Sequence, residues 1–312
     1  MEVRRYEPAL AADWLDLLAR SRNGLFLFER PYMDYHADRF PDFSAIAYKD
    51  GAPAALLPAT AAEGGDHVVS HAGLTFGGFV FPRDTRTDAA IECVDAILEA
   101  LKSWGARELT VKLVPQALCS YPSQDVDYAL WHRGFGLVRR DLSSILPLAD
   151  AIAPNTSKRQ AIAKARKTGV EIGSGSLDQF HALLSEVLGW KHGVTPVHSL
   201  AELRLLMDRF PQQILLRTAE LGGETLAGVL VYRYATAWHT QYMAASPEGR
   251  KCGALDLVIS TLIEDARAAG AQWFSFGTSS LDEGRTLNEG LLWQKESFGA
   301  RAITHDFMHG TL

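Results

Sequence analysis

The stretch Trp238-His239-Thr240-Gln241-Tyr242-Met243-Ala244 sets an imidazole and an amide on what reads as a strand. Regular alternation places His239, Gln241 and Met243 on one face and Trp238, Thr240 and Tyr242 on the other. An imidazole with an ordinary pKa near ~6.5 can take a proton at neutral pH, and a neighbouring amide can orient a substrate. The same pattern also describes a core histidine satisfied by a backbone carbonyl, and both readings stay open. The strand leads into Ser246-Pro247-Glu248-Gly249-Arg250-Lys251-Cys252-Gly253-Ala254-Leu255, ahead of a helix expected over 256–269. Glycines in such a loop let backbone N–H groups approach an anion at a helix start, and Arg250 and Lys251 add full positive charge. A pyrophosphate fits that description, as does a solvated basic loop.

Further on, Phe276-Gly277-Thr278-Ser279-Ser280 puts small hydroxylic residues at the C-terminal end of a strand, where an α/β sheet keeps its crevice. Glu283 follows in a loop, where a carboxylate can serve as a base. Asn288 opens a helix as a cap, and Lys295 lies two turns further along the same face. Lys191 and His192, in the turn-like Gly189-Trp190-Lys191-His192-Gly193, could meet phosphates or make an interdomain contact. The helix expected from Ser157, capped by Ser157 with Gln160, carries Lys158, Arg159, Lys164, Arg166 and Lys167 without an acid, which reads as a solvated face or a phosphate contact. No P-loop, GxGxxG, HExxH or GxSxG occurs. His67 and His71 sit four apart on strand-like sequence, a span of ~13 Å that one metal cannot bridge, and His305 and His309 are spaced the same way. No metal is expected.

The elements that position these residues recur. Leu101-Lys-Ser-Trp-Gly105-Ala106 closes a helix and passes into a strand, and Arg267-Ala-Ala-Gly270-Ala271 repeats the design. Trp131-His-Arg-Gly-Phe135-Gly136 and Trp293-Gln-Lys-Glu-Ser-Phe298-Gly299 each precede another strand. Upstream, turns at Asp50-Gly51 and Gly222-Gly223 join strand-like runs. Three landmarks in one order indicate two copies of an α/β unit with mixed sheets, divided near 150, in the linker region before Pro154-Asn155-Thr156. The 312 residues suffice for two cores. With 31 basic and 37 acidic residues, a net charge of −6 and 22% charged residues, the chain is not a general nucleic-acid binder, and no DNA partner is expected. Three scattered cysteines permit no disulfide framework, and the start Met1–Glu7 lacks a signal-peptide core, so a cytoplasmic protein without a membrane span is expected.

The helix opening at Ser157-Lys158-Arg159, the run from His239-Thr-Gln-Tyr242 to Gly253-Ala-Leu-Asp256, and Phe276-Gly-Thr-Ser279 followed by Leu287-Asn288-Glu-Gly-Leu291 and Lys295-Glu-Ser-Phe298-Gly299 together resemble the FemAB-like branch of the GNAT acyltransferases. The resemblance covers about 150 to 312 and reaches the first half through the duplication. It implies two fused GNAT modules: 1–150, and 151–312 carrying the donor site. It implies acyl-CoA held where two parallel strands splay, with the pyrophosphate on an Arg-x-x-Gly-x-small loop. Arg250-Lys-Cys-Gly253-Ala254-Leu255 keeps the Arg and the first Gly of that loop and carries Leu255 in place of the last small residue. The donor residues so implied are Met243, Ala244, Ala245, Gly249, Arg250, Lys251, Gly253, Ala254 and Asn288. Lys295 matches a lysine that peptidoglycan-bridge enzymes of the branch place near the reacting carbonyl, whereas the first copy has Trp131-His132-Arg133 there, which implies one active site.

The expected function is therefore N-acyl transfer, of acetyl above all, from acyl-CoA to an amine on a small-molecule acceptor. A nucleotide-linked amino sugar of surface-polysaccharide biosynthesis in the cell envelope is the preferred acceptor. His239 is the expected base with Glu283 in reserve, and Lys295 or a backbone N–H near Met243 to Ala245 faces the oxyanion. Gln241, Ser279, Lys191 and His192 are expected to hold the acceptor. The chain lacks the helical arm that aminoacyl-tRNA users often insert, which favours acyl-CoA. An aminoacyl-tRNA-dependent transferase and a non-catalytic GNAT-fold binding module remain the alternatives.

Overall fold

Two tight turns set the hairpins of this chain. Asp50 and Gly51 lie at φ 52° and 80°, Gly222 and Gly223 at 60° and 84°, the paired left-handed conformation that two-residue hairpin loops require. The computed structural model describes residues 1–62 and 64–312. In chain order its first half comprises β1 (Glu2–Arg5), α1 (Ala11–Ala19), α2 (Arg30–Met33), β2 (Ala45–Lys49), β3 (Ala52–Leu57), β4 (Thr60–Ala61), β5 (His67–Val69), α3 (Thr87–Ser103), β6 (Glu108–Lys112), α4 (Asp125–His132) and β7 (Gly136–Pro147). There follow α5 (Thr156–Thr168), β8 (Glu171–Gly173), α6 (Leu177–His192), α7 (Leu200–Arg209), β9 (Ile214–Leu221), β10 (Glu224–Arg233) and β11 (Ala237–Ala245). The chain then forms α8 (Pro247–Cys252), α9 (Ala254–Ala268), β12 (Trp273–Thr278), β13 (Ser280–Leu281), β14 (Thr286–Leu287), α10 (Glu289–Glu296) and β15 (Arg301–Thr311).

The duplicated order read from the sequence is present, as α3–β6–α4–β7 and again as α9–β12–α10–β15. The compact units are Met1–Asp141 with Asp282–Arg285 and Thr304–Leu312, and Leu142–Leu281 with Thr286–Ile303. This division differs from a single cut at 150. The reason lies in the last strand of each copy: Ser143–Pro147 of β7 pairs with β12, and Phe307–Thr311 of β15 pairs with β6.

In the first unit, β1–β2–β3 form an antiparallel sheet, and β5 pairs with β4 antiparallel and with β6 in parallel. Val94, Ile97 and Leu101 of α3 are buried with Ala45, Ala47, Leu57, Leu109 and Val111. In the second unit the strand order is β7–β12–β11–β10–β9–β8, antiparallel throughout except for the parallel pair β11–β12. One face packs Ile162 and Ala165 of α5 and Leu257, Val258 and Leu262 of α9 against Val229, Val231, Trp238 and Phe274. The other face carries Gly228, where a Cβ would come within 2.5 Å of the Phe180 ring, so α6 covers that side at close range.

Three local expectations are corrected. The N-cap of α5 is Asn155, whose Oδ1 accepts from Lys158 N at 2.9 Å, and not Ser157; the extended backbone at Asn155 turns its side chain back onto the first turn. The region 189–192 is the last turn of α6 and not a loop, since the helix runs on until Gly193 at φ 65° ends it. The run 247–252 is likewise the short helix α8, capped by Ser246 Oγ on Gly249 N at 3.0 Å, where a glycine-rich loop was expected.

Candidate active site

Strands β11 and β12 pair in parallel over Ala237–His239 and Trp273–Ser275 and then part, β11 running on to Ala245 and β12 to Thr278. A cleft of about 440 Å³ opens at the end of β11. Its walls include five of the residues singled out for the donor: Met243, Ala244 and Ala245 on β11, and Gly249 and Arg250 on α8. Leu255 and Asp256 of α9 complete that side, and Gly290, Leu291, Trp293 and Gln294 of α10 face them. Lys251, Gly253, Ala254, Asn288, His239, Gln241, Ser279, Lys295 and Glu283 do not line it.

The alternation expected along β11 fails at one residue. Thr240 pairs with Val231 and Tyr242 with Leu230, so Gln241 is an extra residue in a β-bulge. Directly opposed residues share a face, and Val229 and Val231 face α9. Met243, opposite Val229, therefore shares the face of Thr240 and not that of His239.

His239 is 5% exposed, and its Nδ1 lies 2.9 Å from Ser275 Oγ. A Cβ at Gly277 would sit 3.3 Å from the His239 ring, so the imidazole packs on the backbone just past the point where the strands part. Lys295 is 2% exposed, and its Nζ donates to Gly277 O at 2.8 Å and to Thr278 O. Burial pushes its ammonium down to about 7. Lysine 295 stands one turn beyond Leu291, which lines the cleft, on the same helix face.

Asn288 caps α10, its Oδ1 accepting from Leu291 N at 3.0 Å. Ser279 is buried at the end of β12, where its N donates to Leu142 O. Glu283, at φ 54°, is exposed and belongs to the first unit. The side chains of Lys191 and His192 lie outside the described residues. Gly253 is required by packing, because it holds φ 83° and a Cβ there would meet Ala161 O at 2.3 Å.

Sequence reasoning did not single out the Lys158–Asp256 pair. Lys158 Nζ lies 2.6 Å from Asp256 Oδ1, both residues line the cleft, and only the helical face of Lys158, in line with the buried Ile162 and Ala165, hints at it. Arg250 Nη1 donates to Ala245 O at 2.9 Å and its guanidinium lies 5.8 Å from the exposed Trp190 ring. Among the described residues no group of three or more His, Cys, Asp or Glu is placed to hold a metal ion. Nor is any helix among them long and apolar enough to cross a membrane.

Residues 156–284 match the family described as acetyltransferase (GNAT) domain. No curated protein matches the chain by sequence. Solved structures with the same fold include FemX, with 14% identity over 100% of this chain and 98% of that one and a TM-score of 0.71. L-PGS from Bacillus licheniformis shares 14% identity over 97% and 91% of the two chains at a TM-score of 0.61. A tandem GNAT protein from the clavulanic acid biosynthesis pathway shares 12% identity over 99% and 98% at a TM-score of 0.52.

Proposed function

From the match of residues 156–284 to an acetyltransferase (GNAT) domain and the fold shared with FemX, we propose that this chain is a FemAB-like GNAT acyltransferase that moves an acyl group from acyl-CoA onto an amine. The observation that carries the reading is the cleft at the parting of β11 and β12, walled by the first turn of α9. Its wall supplies Arg250 and Lys158 for phosphates, against the single carboxylate Asp256, and the apolar Met243, Leu255 and Leu291 for a pantetheine arm. Acetyl is the proposed acyl group, and a nucleotide-linked amino sugar the proposed acceptor.

In the reaction the neutral amine attacks the thioester carbonyl, the C–N bond forms and the C–S bond breaks. The amine's proton ends on the CoA sulfur. The negative charge that develops on the carbonyl oxygen needs a donor fixed in advance. Lys295 fills that role, its ammonium being held by Gly277 O and Thr278 O one helical turn from the cleft. The tie of His239 to Ser275, and its burial against Gly277, favour a positioning part for the imidazole over that of base.

Thermal unfolding against acetyl-CoA tests the donor. A ligand that binds only the folded state stabilises it by about 2.7 kcal/mol at a hundredfold excess over Kd, so a saturable rise in Tm is expected with acetyl-CoA and not with an unrelated nucleotide at equal concentration. A flat response at millimolar acetyl-CoA would end the acyl-CoA reading. FemX and a lysylphosphatidylglycerol synthetase domain from Agrobacterium fabrum share the fold, and charged tRNA would then be the next donor to try.

A further inference from the structure

The first unit contains a second cavity, of about 850 Å³, walled by Arg20, Arg22, Arg83, Asp84, Thr85 and Tyr121. Its size falls within the range of small-molecule sites. Three segments far apart in sequence build it. Arg22 N donates to Phe81 O at 3.0 Å, Arg83 N to Arg20 O at 3.0 Å, and Ser120 N to Arg22 O at 2.7 Å. Arg22 holds this frame together. Its buried guanidinium pairs with Asp125 and donates to Thr85 O at 2.8 Å and to Ser123 Oγ at 3.3 Å, so its donors are occupied.

Arg83 differs. It is exposed on the wall of the cavity, its side chain has no hydrogen bond or ion pair among the described residues, and its guanidinium lies 4.8 Å from the centre of the half-exposed Tyr121 ring. Arg20 spends Nε on Asp16 and Nη2 on Pro53 O, which leaves the Nη1 of a partly exposed side chain uncommitted among the described residues. Two guanidinium groups with donors to spare suit a pyrophosphate, which they can grip in a fork. The flat Arg83–Tyr121 pair suits an aromatic base. The Asp84 carboxylate would repel a bare anion but can accept from a ribose hydroxyl or a base N–H. We propose that this cavity binds a nucleoside diphosphate, with Arg83 and Arg20 on the phosphates and the base stacked on the Arg83–Tyr121 pair. The inference rests on the proposed function only where that reading names a nucleotide-linked acceptor.

The test is calorimetric titration of the full chain with UDP, ADP and inorganic pyrophosphate. Saturable binding of a nucleoside diphosphate is expected, weakened by added salt. Arg83→Glu should weaken it by at least about tenfold, the effect of losing one charge-assisted contact. Tyr121→Ala should weaken nucleotide binding by about fivefold or more and leave pyrophosphate binding unchanged, because only the base stacks. Lys102→Glu, on an exposed helical site, is the control and should change neither. A nucleotide-linked amino sugar that displaces UDP identifies the source as the acceptor; displacement by free nucleotides alone identifies a free nucleotide. Absence of binding at millimolar UDP and ADP would overturn the proposal. So would an indifferent Arg83→Glu variant, or a Tyr121→Ala variant that loses nucleotide and pyrophosphate equally. The acetyl-CoA response of both variants is expected to stay that of the unaltered chain, so failure here and failure of the donor reading are separable.

Discussion

Lys295→Met is expected to lower kcat by about 10²- to 10³-fold, the usual cost of removing one oxyanion donor, with a smaller change in KM. The split follows from when the contact forms: charge on the carbonyl oxygen appears only as the amine adds, so the loss falls on the transition state. The pH profile makes the claim sharper. Burial brings the Lys295 ammonium down to about 7, so a rate that needs the charged form should fall as pH rises through about 7. That descending limb should vanish in Lys295→Met. A limb that persists in the variant, or a rise in KM with kcat intact, would remove Lys295 from the chemistry and make it a binding residue. Stability supplies an independent reading of the same group. From about 7 up to the ordinary lysine value of 10.5 the unfolded chain holds a proton that the folded chain lacks, so folding becomes more favourable as pH rises across that window. Lys295→Met should flatten this rise.

Lys295 also shows what the sequence could carry. Its place on the helix after Asn288 was legible, since a cap and a helical period are local matters. That its ammonium would bond Gly277 O and Thr278 O was not, because those carbonyls are presented by a strand whose pairing with β11 has ended. The hairpins and the repeated helix–Gly–strand junctions were readable for the same reason as the cap. Asp50-Gly51 and Gly222-Gly223 encode their turns within two residues each. The bulge at Gln241 was hidden, because a bulge is a relation between two strands and leaves no mark in the spacing of one. It moved Met243 to the face of Thr240. Gly249-Arg250-Lys251 read as an anion loop for want of the one fact that decides it: Ser246 closes a helical turn there.

Gly253 is the case in which the residue was identified and its reason was not, and a large loss of stability is expected on replacing it. The resemblance makes it a place for backbone to approach a pyrophosphate. The fold makes it the junction of α8 and α9, at φ 83°, with α5 so close that a Cβ would fall 2.3 Å from Ala161 O and 2.8 Å from the carbonyl carbon. Backbone atoms cannot rotate away as a side chain can, so α5 must move as a body. Gly270, just past the other end of α9, supplies the comparison: it holds φ 78° with nothing within 4 Å of its Cβ. Gly270→Ala therefore carries only the conformational penalty, about 1 kcal/mol. Gly253→Ala carries that penalty and the displacement of a helix, roughly 3 kcal/mol or more. In urea the midpoint of Gly253→Ala should fall well below that of Gly270→Ala, with the slope unchanged in both. The displaced α5 carries Lys158 away from Asp256, now 2.6 Å apart across the cleft wall, so Gly253→Ala should also blunt the acetyl-CoA response that Gly270→Ala retains. Equal midpoints for the two variants would show that α5 yields without cost, and the packing account of Gly253 would then give way to the ligand account.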